Sequence, residues 1–295
     1  MNLGGYMNGI LIIDKPKGIT SRDVVNKVIK VFNTKKVGHT GTLDPIATGV
    51  LVVCVGSATK LVSELTSNDK EYIASVTLGI ETDSIDTEGN ILKNIECIKT
   101  KEEIINVLNS FKGCYDQEVP IYSAVKINGK KLYEYARENI EVKLPKREVE
   151  ISNIELIDSI EYKDNKTMFK FKCSVSKGTY IRSLIRDIAL KLNTVGIMTD
   201  LRRIRQGNFN IEESVTLENI NKNDIRNIMD ILNYKKVNIT DDIKKQILNG
   251  AIIDNIYNEN EVLFILNNEA VALYKIYEKD KNKLKPYIMF KGGII

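Results

Sequence analysis

Gly38-His39-Thr40-Gly41-Thr42-Leu43-Asp44-Pro45-Ile46-Ala47-Thr48-Gly49 sets one carboxylate inside a Gly/Thr-rich turn, directly ahead of a proline. Gly38, Gly41 and Gly49 free the backbone where a turn needs it, and Pro45 restricts both itself and the residue before it. A loop held in this way can aim a single side chain accurately. The plainer alternative is a tight turn in which Asp44 caps local amides. The loop runs into Val50-Leu51-Val52-Val53-Cys54-Val55, an apolar run of buried-strand length and far too short to span a bilayer.

The chain has 295 residues, 43% hydrophobic and 28% charged, which suits a globular protein of two domains. The amino terminus lacks the basic-then-apolar pattern of a secretory signal, so a cytoplasmic location and no membrane association are expected. Cys54, Cys97, Cys114 and Cys173 are scattered and form no CxxC pair, which argues against a zinc site or a disulfide framework. Cys54 and Cys173 sit in strand-like runs, where a small buried hydrophobe is the expected role. His39 is the only histidine, so His₂ and His₃ metal sites are excluded. Chemistry without a metal or cofactor is expected.

The net charge of +4 is unevenly spread. Residues 125–147 carry seven Lys/Arg against three Glu, and residues 177–207 seven against two Asp. Residues 275–291 add six lysines against Glu278 and Asp280. Basic clusters that can meet on one face point to a polyanionic partner. Over residues 117–147, Tyr122, Tyr133 and Tyr135 are interleaved with Lys and Arg, as on a surface that stacks bases and neutralises phosphates. Tyrosines packed beneath a helix are the alternative.

Along the chain, Leu11-Ile12-Ile13 reads as a strand closed by Pro16 and Gly18, followed by a helix capped at Thr20 or Ser21. Val25, Val28, Ile29 and Phe32 give that helix its buried stripe. Residues 71–78 alternate, with Tyr72, Ala74, Val76 and Leu78 on one strand face. Residues 81–89 are acidic without a single base and predict a solvated connection. Asn128-Gly129 predicts a tight hairpin turn. Phe169, Phe171, Cys173 and Val175 alternate along a strand that leads through Ser176-Lys177-Gly178-Thr179-Tyr180-Ile181-Arg182 into a helix. Tyr180 and Arg182 thus fall at a strand-to-helix junction. From residue 237 onward a small, mostly β unit follows.

If Asp44, Tyr72 and Arg182 converge, the arginine holds the aspartate charged and oriented. Such a carboxylate can act as a nucleophile or stabilise positive charge at a sugar carbon. No partner carboxylate for a two-acid hydrolysis is evident from the sequence.

Four blocks in this chain carry a family resemblance. They are Asp14-Lys15-Pro16-Lys17-Gly18, the Asp44 loop, Val119-Pro120-Ile121-Tyr122-Ser123-Ala124-Val125-Lys126 with Gly129-Lys130-Lys131-Leu132-Tyr133-Glu134-Tyr135-Ala136-Arg137, and residues 176–182. In these blocks and their order the chain resembles the pseudouridine synthases, in the branch acting on uridine 55 of bacterial tRNA. The resemblance implies an α/β (α+β) catalytic domain over residues 1–236, with a central mixed, largely antiparallel sheet and flanking helices. It further implies an insertion near 117–147 that closes over RNA, and a reduced PUA-like RNA-binding domain over 237–295.

By the same resemblance Asp44 is the catalytic aspartate, Arg182 its partner, and Tyr72 a stacking residue and candidate for proton transfer at C5. Tyr180 and Leu201 would line the pocket, Lys15 would form its floor, and Lys130 would contact RNA. His39 would help hold RNA with its target base extruded, or else simply pack the loop. The implied partner is the T arm and T loop of tRNA, bound by a monomer with no obligate protein partner. A hydrolytic N-glycosidase and a noncatalytic RNA-binding protein are the rival classes.

Overall fold

Val50, Val52 and Cys54 point to one side of their strand, Leu51, Val53 and Val55 to the other, and all six are fully buried. A strand apolar on both faces needs cover on both. The computed structural model, which describes residues 8–66 and 69–290, supplies that cover from two different parts of the chain.

In chain order the first elements are β1 (Gly9–Lys15), α1 (Ser21–Phe32), β2 (Val37–His39), β3 (Thr48–Val55), α2 (Val62–Thr66) and β4 (Lys70–Leu78). Next come β5 (Ile80–Thr82), β6 (Ile91–Asn94), α3 (Lys101–Asn109), β7 (Gly113–Glu118), β8 (Lys126–Ile127), β9 (Lys130–Lys131) and α4 (Leu132–Arg137). The chain continues with β10 (Lys146–Lys163), β11 (Lys166–Val175), α5 (Ile181–Lys191), β12 (Gly196–Gln206), β13 (Phe209–Asn210) and β14 (Val215–Thr216). Last are α6 (Ile228–Ile231), β15 (Lys235–Asn238), α7 (Asp241–Leu248), β16 (Ile253–Asp254), β17 (Glu261–Leu266), β18 (Glu269–Tyr277) and β19 (Asp280–Met289).

Among the described residues, ten strands form the main sheet in the order β14-β1-β3-β12-β4-β11-β10-β7, with β2 added to β3 and β13 to β12. Only the β1–β14 and β3–β12 pairs of this sheet are parallel, so it is mixed and largely antiparallel. One face carries α1, α3 and α5 on a core that includes Leu51, Val53, Ala74, Phe171, Leu184 and Ile188. A five-stranded second sheet, β15-β17-β18-β19-β16, lies against the other face of β1 and β3. There Ile10, Ile12, Val50 and Val52 share a core with Leu263, Leu273, Ile288 and Phe290. The second sheet is bulged in β18 and β19 and closes with α7 around its own apolar centre, a PUA-like arrangement.

Local chemistry sets the element ends. Thr20 caps α1, accepting from the Asp23 N–H while the Asp23 carboxylate accepts from the Thr20 N–H. The buried stripe of α1 is Val24, Val25, Val28 and Phe32; Ile29 is only half-buried and Val24 takes the place periodicity gave it. Asn128 and Gly129 both have positive φ, 51° and 82°, as the hairpin between β8 and β9 requires. Cys54 and Cys173 are buried among apolar neighbours, and burial pushes the Cys54 thiol up to about 12. No helix among the described residues is long and apolar enough to cross a membrane.

Residues 81–89 depart from the expected solvated connection. Asp86 is buried, its carboxylate accepts from Ser84 Oγ and the Glu88 N–H, and Thr82 Oγ1 donates to its carbonyl at 2.7 Å. Short polar side chains that bond their own backbone let this acidic turn fold inward.

Candidate active site

The Asp44 loop joins β2 to β3 and is tied down from beneath. Lys15, at the end of β1, is fully buried, and its Nζ donates to the carbonyls of Pro16 (2.9 Å), Pro45 (3.4 Å) and Ala47 (2.8 Å). The Gly18 N–H donates to the Pro45 carbonyl at 2.8 Å, and the Leu43 N–H donates to Ser21 Oγ at 2.9 Å. Lys15 therefore supports the loop rather than lining the cavity above it. Burial, opposed by Asp44 and reinforced by Arg203, pushes its amine down to about 8.

Asp44 and Arg182 meet in a two-point pair. Arg182 Nε donates to Asp44 Oδ2 at 3.0 Å and Nη2 donates to Oδ1 at 3.3 Å. The arginine, on the first turn of α5, also donates to the Ser84 carbonyl at 3.1 Å and the Tyr122 carbonyl at 2.9 Å. The Asp86 carboxylate stands 4.0 Å from its Nε. One guanidinium thus gathers the loop, the acidic turn and the insertion. Its side chain is 7% exposed against 34% for Asp44, so the carboxylate is the member of the pair open to a ligand.

Asp44 opens into a cavity of about 550 Å³. Tyr72, Tyr180, Leu201, Lys70 and Arg203 line it together with Tyr122, Ser123 and Tyr133 of the insertion. Tyr72 is placed by register: on β4 it lies opposite Cys173 of β11 and Arg203 of β12. Tyr180 precedes α5, and its backbone N–H donates to the buried Gln117 Oε1 at 2.7 Å. The Arg147 guanidinium sits 5.4 Å from the centre of the Tyr180 ring. One wall is therefore aromatic and apolar, and the other carries the ion pair.

Besides Lys15, two expected residues lie outside the cavity lining. His39 stands beside the loop, half-buried, and accepts from the Gly41 N–H at Nδ1 over 3.3 Å. Burial first, then Arg203 and Arg22, disfavour its protonation. Lys130 sits on the β8–β9 hairpin, paired with Glu138 and 5.0 Å from the Tyr135 ring centre, outside the cavity lining.

The sequence reading missed Lys70, Arg203, Ser123 and the turn at Ser84 and Asp86. Burial, with Arg203 and Lys177, pushes the Lys70 amine down to about 8. Ser123 Oγ is buried without a hydrogen-bond partner among the described residues. Position on β4 two residues before Tyr72 was an available signal for Lys70, since alternate residues share a face.

Comparison with known proteins agrees with this geometry. Residues 29–181 match the family described as TruB family pseudouridylate synthase (N terminal domain), and residues 182–230 match tRNA pseudouridylate synthase B C-terminal domain. The tRNA pseudouridine synthase B of Clostridium tetani (strain Massachusetts / E88) is 41% identical over 93% of this chain and 93% of its own length. That of Staphylococcus aureus (strain Newman) is 40% identical over 96% of this chain and 99% of its own length. Among solved structures, a chain of an H/ACA RNP bound to a substrate RNA containing 2′-deoxyuridine superposes with a TM-score of 0.68 at 25% identity, covering 96% of this chain and 85% of that one. A chain of an archaeal box H/ACA sRNP gives 0.65 at 24% identity, over 96% and 86%, and shares the fold. Both the N-terminal match, which alone spans more than half the chain, and the near full-length relatives place this protein in the TruB family of pseudouridylate synthases.

Proposed function

We propose that this protein isomerises uridine 55, in the T loop of tRNA, to pseudouridine. The observation that carries the reading is the Asp44–Arg182 pair at the edge of a cavity walled by Tyr72, Tyr180 and Leu201. A base must leave its stack to reach a carboxylate so placed, and binding to the rest of the RNA offsets that cost of a few kcal/mol. Asp44 acts at the sugar as the N1–C1′ bond breaks. Arg182 holds it in plane through their two-point pair. Tyr72 stacks on the ring and serves proton transfer at C5. Tyr180 and Leu201 keep the freed ring in place while it turns, and keep water from the activated sugar.

The partner is the T arm of tRNA. In this reading residues 1–236 form the catalytic unit, residues 117–147 close over the RNA, and residues 237–295 form an RNA-binding domain. Lys130 and His39 then contact RNA outside the cavity. The enzyme works as a cytoplasmic monomer without metal or cofactor.

The test is base-resolved pseudouridine mapping of unmodified tRNA transcript incubated with purified protein in EDTA, beside Asp44→Asn. Pseudouridine at position 55 with the wild type alone is expected. Tight binding without product would replace the reading by a binding protein, and an abasic site with free uracil by a hydrolase.

A further inference from the structure

Strand β12 carries Arg202, Arg203 and Arg205, and the outer two are neutralised. Arg202 pairs with Asp14 at 2.8 Å, and Arg205 with Asp69 at 2.6 Å and Glu71 at 3.0 Å. Arg203, between them, is 1% exposed and has only neutral acceptors among the described residues. Its Nε donates to the Val50 carbonyl at 2.7 Å and its Nη2 to the Gly41 carbonyl at 3.0 Å, while Nη1 lies 3.5 Å from the Tyr72 hydroxyl. A guanidinium has five N–H groups. Nη1 and Nη2 each keep one beyond these contacts, in a residue that lines the Asp44 cavity.

A buried cation without a counter-charge costs several kcal/mol. The neighbours register that charge: Arg203 is among the causes that disfavour protonation of Lys15, Lys70 and His39. Arg182, in the same cavity, is already matched by Asp44 and Asp86. The site therefore holds a preformed, uncompensated positive charge beside Tyr72.

We infer that Arg203 stabilises the negative charge carried by the uracil ring between its detachment from the sugar and its reattachment. This rests on the isomerase reading above. When the N1–C1′ bond breaks, its electron pair stays with N1 and the ring becomes anionic. The rotated ring then gives a pair from C5 to C1′, C5 loses its proton, and N1 takes one up, so uridine and product have the same atoms and nothing is oxidised. A fixed cation in a water-poor cavity lowers the energy of the anionic stage without having to reorganise.

The experiment follows single-turnover loss of the N1-linked nucleoside from tRNA carrying either uridine or 5-fluorouridine at position 55, with Arg203→Met, Arg203→Lys and Asp44→Asn. Both substrates give this readout, although the fluorinated ring has no C5 proton to lose and stops at the C5-linked stage. Fluorine stabilises the ring anion by itself, so the substrate supplies part of what the variant lost. Arg203→Met is expected to bind tRNA as the wild type does and to convert uridine about 100-fold more slowly. Its loss on 5-fluorouridine should be clearly smaller, and Arg203→Lys should lie between it and the wild type. Equal losses on the two substrates would overturn the inference, since a merely structural role is blind to the leaving group. If Arg203→Met does not fold, Arg203→Lys decides by the same comparison of substrates. Absence of pseudouridine with the wild type would instead overturn the isomerase reading itself, and conversion of uridine by Asp44→Asn the role of Asp44.

Discussion

Gly49 lies against the backbone of Arg203 so closely that a Cβ on it would stand 2.1 Å from the Arg203 carbonyl oxygen. The two are paired across the parallel junction of β3 and β12, and Gly49 has φ +102°. Both close approach and backbone angle demand glycine there. Gly49→Ala is expected to lower stability by at least about 3 kcal/mol. Urea unfolding with an unchanged slope and a shifted midpoint would show it; a wild-type midpoint would refute it.

Arg182 offers a planar fork to Asp44 and two further donors to the Ser84 and Tyr122 carbonyls. A lysine keeps the charge but cannot make those contacts together. Arg182→Lys is therefore expected to cut kcat about 100-fold through misplacement of the carboxylate, with KM little changed. A KM-only defect in steady-state kinetics would contradict a positioning role.

Lys70 is held at about 8 in the folded chain against an ordinary 10.5. Between those values the unfolded chain binds the extra proton, so stability rises with pH across that window, and below it the full penalty applies. Lys15, also at about 8, contributes in the same sense. Lys70→Met should remove roughly half of the rise attributable to the pair. Unfolding midpoints measured across the window for variant and wild type give the comparison, and identical curves would sink the idea.

The hairpin and α4 carry Lys126, Lys130 and Arg137 outside the main sheet. If they neutralise tRNA phosphates, each change to Ala should weaken binding and lessen the salt dependence of log K by about 0.7–0.9. Turnover at saturating RNA should hold. Titrations at several salt concentrations that show unchanged slopes would place the RNA elsewhere.

Much of this site was legible because its residues are fixed by local pattern. Alternation along β4 put Tyr72 on the buried face, and the Gly/Pro frame marked Asp44 as constrained. Tyr180 and Arg182 followed from a strand running into a helix. Register across β12 was not legible: the bulge between Arg203 and Arg205 turns one arginine inward and leaves the next paired near the surface. Composition also misled at residues 81–89, where acidity suggested solvent although Asp86 bonds its own turn and faces a cation. Charge counts say nothing about whether a carboxylate's partner lies far along the chain.

The core between β1–β3 and the second sheet has a temporal consequence. A ribosome delivers Ile10, Ile12, Val50 and Val52 long before Leu263, Leu273, Ile288 and Phe290, the residues that cover them. Until then one face of the strand that follows the Asp44 loop stays greasy and wet, a surface prone to premature association. The strand that carries the loop is thus covered late in synthesis, and a chain stopped short of β17 would expose that face for good.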